Sequence, residues 1–348
     1  MTRYYLELSN AREHKFYELV LEDAALHLRY GRIGTDGQRQ SRTHASPEAA
    51  QKEADKRLGE KRKKGYVDAV MGEREKQDVI PPRLRLPDLL RPHRSEIEAT
   101  LRPSVHLVRD GQSGRPWSCK VGGVPYREQG QPWPTTPDGQ ALAFLAQLHF
   151  ADLPVLDGYP TTGLVQFFIL DDDLMGCDFD SGLPLDEVPQ TTYRVLFHPE
   201  VIQDEAALDL SVIERVWDVL PHDPAVEVPL RGYLAQDILS ANDRLFDGLV
   251  TIDFLDKTEG EDGEIVGDLR FYACGDVVTL ASKVGGHPDF TQTDPRGTED
   301  PHLLLFQLDS ETEWGVMWGD AGIGNFFIRP EDLAARDFSR VVYHWDCH

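Results

Sequence analysis

The residues best suited to chemistry fall into two groups. The first is basic and aromatic. Tyr30, Gly31, Arg32, Gln38, Arg39 and Arg42 crowd into YGRIGTDGQRQSRTH at 30–44, and Lys61 and Lys64 continue a basic helical stripe begun by Arg57. Arginine gives phosphate a bidentate contact. Glycine at 31 lets a phosphodiester approach the backbone, and a tyrosine ring offers a base or sugar a stacking face. Two readings of Tyr30 stand side by side. It stacks on nucleic acid, or strict alternation places it in a core with Leu26 and Leu28, leaving Arg32 a solvated edge charge.

The second group is scattered. Lys120 and Lys283 each precede Val-Gly-Gly. Such a segment could cradle an anion, but double glycine more often marks a tight approach between strands. His287, Asp309 and Asp320 would ligate a metal, or line a ligand cleft, if they converged. Otherwise Asp320 holds the turn in WGDAG and His287 precedes a proline in another turn. The tail YHWDCH offers His344, Asp346, Cys347 and His348, but a metal site at the last residues would fray. Gln147 and Gln307, in equivalent apolar strands, are expected to satisfy buried backbone groups. GxSxG, Walker, HExxH and Rossmann signatures are all missing from the sequence. We therefore expect no catalytic residue, no metal and no cofactor.

Charge divides the chain. The 348 residues carry a net −24, but residues 1–105 hold 21 Lys+Arg against 17 Asp+Glu, a balance of +4, and residues 106–348 hold 15 against 43, a balance of −28. A polyanion would be repelled by the second part, so contact with one must come from the first. Four cysteines lie far apart without a CxxC pair, which predicts free, mostly buried thiols. No apolar run approaches the roughly 20 residues that span a bilayer. The N-terminal stretch lacks the order of a signal peptide, and a cytoplasmic protein is expected.

The elements follow from periodicity. Alternation predicts strands through Tyr4–Leu8, Tyr17–Leu21 and Leu26–Tyr30, a small antiparallel meander. Gly34, Asp36 and Gly37 then supply a turn. A helix follows, N-capped by Ser46, opened by Pro47 and ended by Gly65, with Ala50, Ala54 and Leu58 as its packing stripe. Residues 72–92, rich in proline and arginine, read as a linker, and 93–101 as a short helix. Beyond Pro103, strand patterns include GLVQFFIL, TYRVLFH, LRFYACGDVVTLA, HLLLFQL, NFFI and SRVVYHW, while 203–219 and 229–247 read as helices. The expected division is 1–71, a linker at 72–103, and 104–348.

The last unit repeats itself. CKVGGVP at 119–125 matches SKVGGHP at 282–288, FLAQLHF at 144–150 matches LLFQLDS at 304–310, and GLVQFFIL at 163–170 matches GIGNFFIR at 322–329. Lys120 to Gln147 spans 27 residues and Lys283 to Gln307 spans 24. Three ordered matches at such offsets predict a duplicated α+β unit with pseudo-symmetric halves.

With these parts in place, residues 1–71 resemble a WGR domain, through the strands, Gly31 to Gly34, Gly37, Gln38 and Lys63 to Tyr66. Tyr30 stands where the family's tryptophan would be. The family occurs in DNA-dependent poly(ADP-ribose) polymerases, where the aromatic packs on the sugar of a DNA end and the arginine contacts DNA, and in many bacterial proteins. The resemblance implies nucleic-acid contact by this module, but no polymerase activity, because nothing here resembles that catalytic domain. Residues 104–348 resemble the YwqG-like family through KVGGVPYREQGQPWP, LAFLAQLHFADLP, GLVQFFI and the C-terminal LLLFQLDS…VVYHWDC, with 200–265 matching poorly. That resemblance implies a two-copy α+β fold and no established reaction.

The expected protein is thus non-enzymatic and bacterial, a DNA- or RNA-contacting module joined to a protein- or ligand-binding one. One alternative is a protein-interaction role of regulatory or immunity type. Another is an undescribed enzyme with its site between the repeated halves.

Overall fold

The structure, a computed structural model, describes residues 2–9, 14–32, 37–69, 84–111, 114–179, 187–260 and 263–348. Of the features expected above, the turn residues at 33–36 and residues 72–83 of the linker lie outside the described residues.

The first unit is a five-stranded antiparallel sheet under one helix. Strands β1 (Thr2–Ser9), β2 (His14–Glu22), β3 (Ala25–Arg32), β4 (Gln38–Thr43) and β5 (Val67–Asp68) lie in the order β4-β3-β2-β1-β5. Alternation sends Leu6, Leu8, Tyr17, Leu19, Leu26 and Leu28 to one face, as the period-2 pattern requires. Helix α1 (Pro47–Lys63) covers that face with Ala50, Ala54 and Leu58. Ser46 accepts the Ala49 N–H at its start. Gly65, at φ +90°, takes the left-handed geometry that turns the chain into β5.

The second unit is one ten-stranded sheet. Its strands are β6 (Arg102–Arg109), β7 (Lys120–Val121), β8 (Ala143–His149), β9 (Leu164–Ile169), β10 (Tyr193–His198), β11 (Val228–Asp237), β12 (Lys283–Gly285), β13 (Leu303–Asp309), β14 (Ile323–Ile328) and β15 (Val342–Asp346). The order β10-β9-β8-β7-β11-β6-β12-β13-β14-β15 is symmetric about the β11–β6 pair. Lys120 lies opposite Gln147 and Lys283 opposite Gln307. Both halves shift register at the same point, between Phe144 and Ala146 and between Leu304 and Phe306. A bulge repeated at equivalent positions is the mark of duplication, because bulges are specific local features. The halves share one core: Phe167 meets Phe306 at 4.8 Å and Phe326 at 4.5 Å between ring centroids.

Three expectations are corrected. Residues 229–247 are not one helix. Most of them form β11, whose Val228, Leu230, Gly232 and Leu234 are buried in alternation, and a Cβ on Gly232 would stand 2.5 Å from Val105. Only Phe246–Leu249 is helical there. Residues 203–219 hold one short 3-10 turn at Glu205–Ala207. Tertiary contacts override the apolar spacing, since Leu208 is buried beside Trp117 and Tyr126 and Arg127 holds Asp209 at 2.5 Å and the Ser211 hydroxyl at 2.7 Å. Conversely, much of LRFYACGDVVTLA is helix, within Val266–Val277, since periodicity alone cannot separate a short apolar strand from a buried helix. That helix packs with Ile238, Leu239 and Phe246 in a second core, joined by Leu86, Leu90 and Ile97. The expected short helix is present at Arg94–Ala99.

Candidate nucleic-acid interface and the motif lysines

Tyr30 sits at the rim of the first core. Its ring stacks on Tyr17 at 6.2 Å, and its hydroxyl accepts from Gln40 Nε2 at 3.0 Å. The register explains which neighbours it has. Tyr30 lies opposite Gln38, Leu28 opposite Gln40 and Leu26 opposite Arg42. Cross-strand partners share a face, so Gln38, Gln40 and Arg42 stand on the helix side with Tyr30, and Arg39 on the other. All six residues of β4 are exposed, and β4 is an edge strand. Gly37, at φ +65°, must be glycine, since a Cβ there would meet the Tyr30 carbonyl at 2.6 Å. Gly31 is half-buried opposite Phe16, and the Arg32 backbone pairs with Lys15. Lys61 lies over the rings of Tyr17, at 4.5 Å, and Tyr66, at 4.9 Å. Lys64 is exposed at the helix C-cap. Of the sequence-predicted set, Gln38 and Arg42 therefore share the face of Tyr30, and Arg39 stands on the other.

The face away from the helix carries residues that sequence reasoning missed. Buried Glu18 is held by Arg3 and by Arg29, the latter at 2.5 Å, and Arg29 also lies 4.7 Å over Phe16. With Arg39, His27 and Ser41 they line a groove of about 560 Å³. The signal was in the alternation, because Arg29 flanks Tyr30 on its strand and so points the other way.

In the second unit the two motif lysines are each 1% exposed. Lys283 Nζ lies 2.7 Å from Asp289 and 3.1 Å from Asp237. Asp237 also accepts from Ser104 at 2.9 Å and pairs with His106 at 2.6 Å. Gln307 completes the cluster, donating to Asp289 Oδ2 and accepting the Asp289 N–H. Burial would lower the Lys283 pKa, but the two carboxylates outweigh it and hold it above its ordinary value. Lys120 has one partner, Glu227 at 3.0 Å, and burial pushes it down. Gln147 bonds Pro116 O, Ser118 O and the Tyr126 N–H, the backbone role expected of it. Gly122, Gly123, Gly285 and Gly286 are all left-handed. A Cβ on Gly286 would stand 2.1 Å from Asp237 Oδ2, so here the glycines serve close approach.

His287, Asp309 and Asp320 are spread over different settings. His287 is buried with Nε2 on the Thr100 carbonyl at 2.7 Å, and burial brings its pKa down to about 4. Asp309 accepts the Ser310 N–H, and burial pushes it up to about 7. Asp320 is exposed in the turn before left-handed Ala321. Among the described residues no group of three His, Cys, Asp or Glu could hold a metal ion, and no helix is long and apolar enough to cross a membrane. The four cysteines are free, three of them buried.

Two family descriptions match. "WGR domain" covers residues 2–73, and "Domain of unknown function (DUF1963)" covers 119–347; the YwqG-like resemblance is consistent with the latter. No curated protein matches. A solved structure, a structural-genomics target from Bacteroides fragilis, is 28% identical over 25% of this chain and 24% of its own length, with a TM-score of 0.21. The chain thus spans about a quarter of that protein, and the likeness carries no argument.

Proposed function

The chain belongs to the DUF1963 family and carries a WGR domain ahead of that unit, and on this premise we propose that it is a binding protein whose WGR unit contacts nucleic acid through phosphate while the duplicated unit serves as a second binding module. One observation carries the reading: Tyr30 stands at the rim of the first core beside an edge strand exposed along its whole length, which presents Gln38, Arg39 and Arg42. Exposed arginines on a strand that borders an aromatic ring supply phosphate contacts and a stacking face from one edge. Burial of the motif lysines Lys120 and Lys283 supports assigning the contact to the first unit. For the duplicated unit, a binding rather than catalytic role is supported by the saturation of Lys283 with two carboxylates and by the separate settings of His287, Asp309 and Asp320.

The test is titration of the full chain with duplex, nicked and single-stranded DNA and with RNA, at several salt concentrations. Three to four phosphate contacts give a slope of log K on log salt of roughly −3. Arg39→Ala and Arg42→Ala should each weaken all sequences alike. Absence of binding at low salt by folded protein would remove this reading and promote a protein partner for the same edge.

A further inference from the structure

A cavity of about 600 Å³ opens in the duplicated unit between the turn after β7 and the segment 212–225. That volume suits a small ligand. Trp133, Phe144 and Trp217 form aromatic walls. The segment carrying Trp217 is held in place by Asp171, whose carboxylate accepts from the backbone N–H groups of Asp218 and Val219.

The polar groups of the lining are almost all acceptors. Glu214, Asp218 and Asp223 bring three exposed carboxylates. His222 is buried, and its Nε2 lies 2.8 Å from the Phe144 carbonyl. A carbonyl only accepts, so Nε2 bears the proton and Nδ1 is a lone pair. Nδ1 has no partner. Burial brings this imidazole down to about 4, so it is neutral at pH 7. Arg215 is the one cation in the lining, and it is engaged within the chain, 4.5 Å over Trp217 and 3.1 Å from Asp171.

Three carboxylates against one engaged guanidinium, with two indoles, define the complement. An anion would be repelled. Arg215 over Trp217 and Arg127 over Trp133, the latter at 5.6 Å, show both indoles attracting cations of their own chain. We propose that this cavity binds an organic cation, an ammonium or guanidinium on an apolar body, with the body against the indoles and the N–H groups toward the carboxylates. The source is a free amine or a basic side chain of a partner, which share this chemistry. The inference goes beyond the nucleic-acid reading and stands or falls apart from it.

The experiment is calorimetric titration of the full chain with phenethylammonium, its neutral isostere 2-phenylethanol, its anionic counterpart 3-phenylpropionate, and a blocked arginine amide. Phenethylammonium should bind roughly tenfold more tightly than 2-phenylethanol, and 3-phenylpropionate should not bind. Whichever of the amine and the arginine amide binds more tightly identifies the source. Asp218→Asn with Asp223→Asn, both at exposed positions, should weaken the cation about tenfold without changing the melting temperature. Trp217→Ala should do the same; if it unfolds, the carboxylate variant decides. Equal binding of the neutral isostere, an unchanged affinity in the double variant, or no binding at about 10 mM would overturn the proposal. Duplex DNA should not compete with the amine.

Discussion

The two units treat the cations of their sequence motifs in opposite ways. The first exposes them: Arg39, Arg42 and Lys64 face water around an edge strand and a helix end. The second buries them: Lys120 and Lys283 are each 1% exposed and bound to carboxylate. A lysine after a strand and before two glycines reads the same whether it grips a ligand or closes a core. Acidic partners of its own chain decide the matter here. The two motif lysines of the second unit are therefore structural, whereas Arg39, Arg42 and Lys64 of the first stand where an anion can reach them.

Replacing Lys283 gives the largest effect. Lys283→Met strands Asp237 and Asp289 in a dry interior, which should cost about 3–5 kcal/mol of stability, measured by denaturant unfolding. Folded variant that had lost nucleic-acid binding would break the comparison. Next is Asp309, a partly buried carboxyl in the acidic unit. Its folded pKa, about 7, lies above its unfolded value. The folded state thus holds this proton more tightly, so the contribution to stability is full below about pH 4 and is lost as pH rises to 7. Asp309→Asn should flatten that stretch of the stability profile and gain about 1–2 kcal/mol at pH 8. Tyr30→Phe keeps the stack on Tyr17 and removes the acceptor for Gln40, at a cost of about 1 kcal/mol in the melting curve. Lys120→Met should be smallest, below about 1 kcal/mol, because Glu227 is only partly buried and can turn to water. A loss as large as that of Lys283→Met would mean the two halves are locked alike.

Much of this was legible. Ser46, Pro47 and Gly65 announce the helix through local chemistry, and Lys120 with Gln147, repeated as Lys283 with Gln307, announces the duplication, though their cross-strand pairing came only with the structure. What failed was what depends on distant partners. Residues 203–219 have helical spacing, but Arg127, 82 positions from Asp209, holds them in an irregular path. The helix Val266–Val277 reads as a strand because its apolar run is short. At the site, the aromatic and the arginines were visible, but their division between two faces needed the register of β3 on β4. The Arg3–Glu18–Arg29 cluster required knowing which strands were neighbours.

The most direct measurement is the salt-dependent titration of the intact chain with DNA and RNA, run beside the Arg39→Ala, Arg42→Ala double variant and beside Lys120→Met. The account predicts binding at low salt with a slope of roughly −3, loss of about two units of that slope in the arginine pair, and no change in Lys120→Met. Binding that survives the arginine pair and falls with Lys120, or a folded chain that binds none of these nucleic acids, would contradict it.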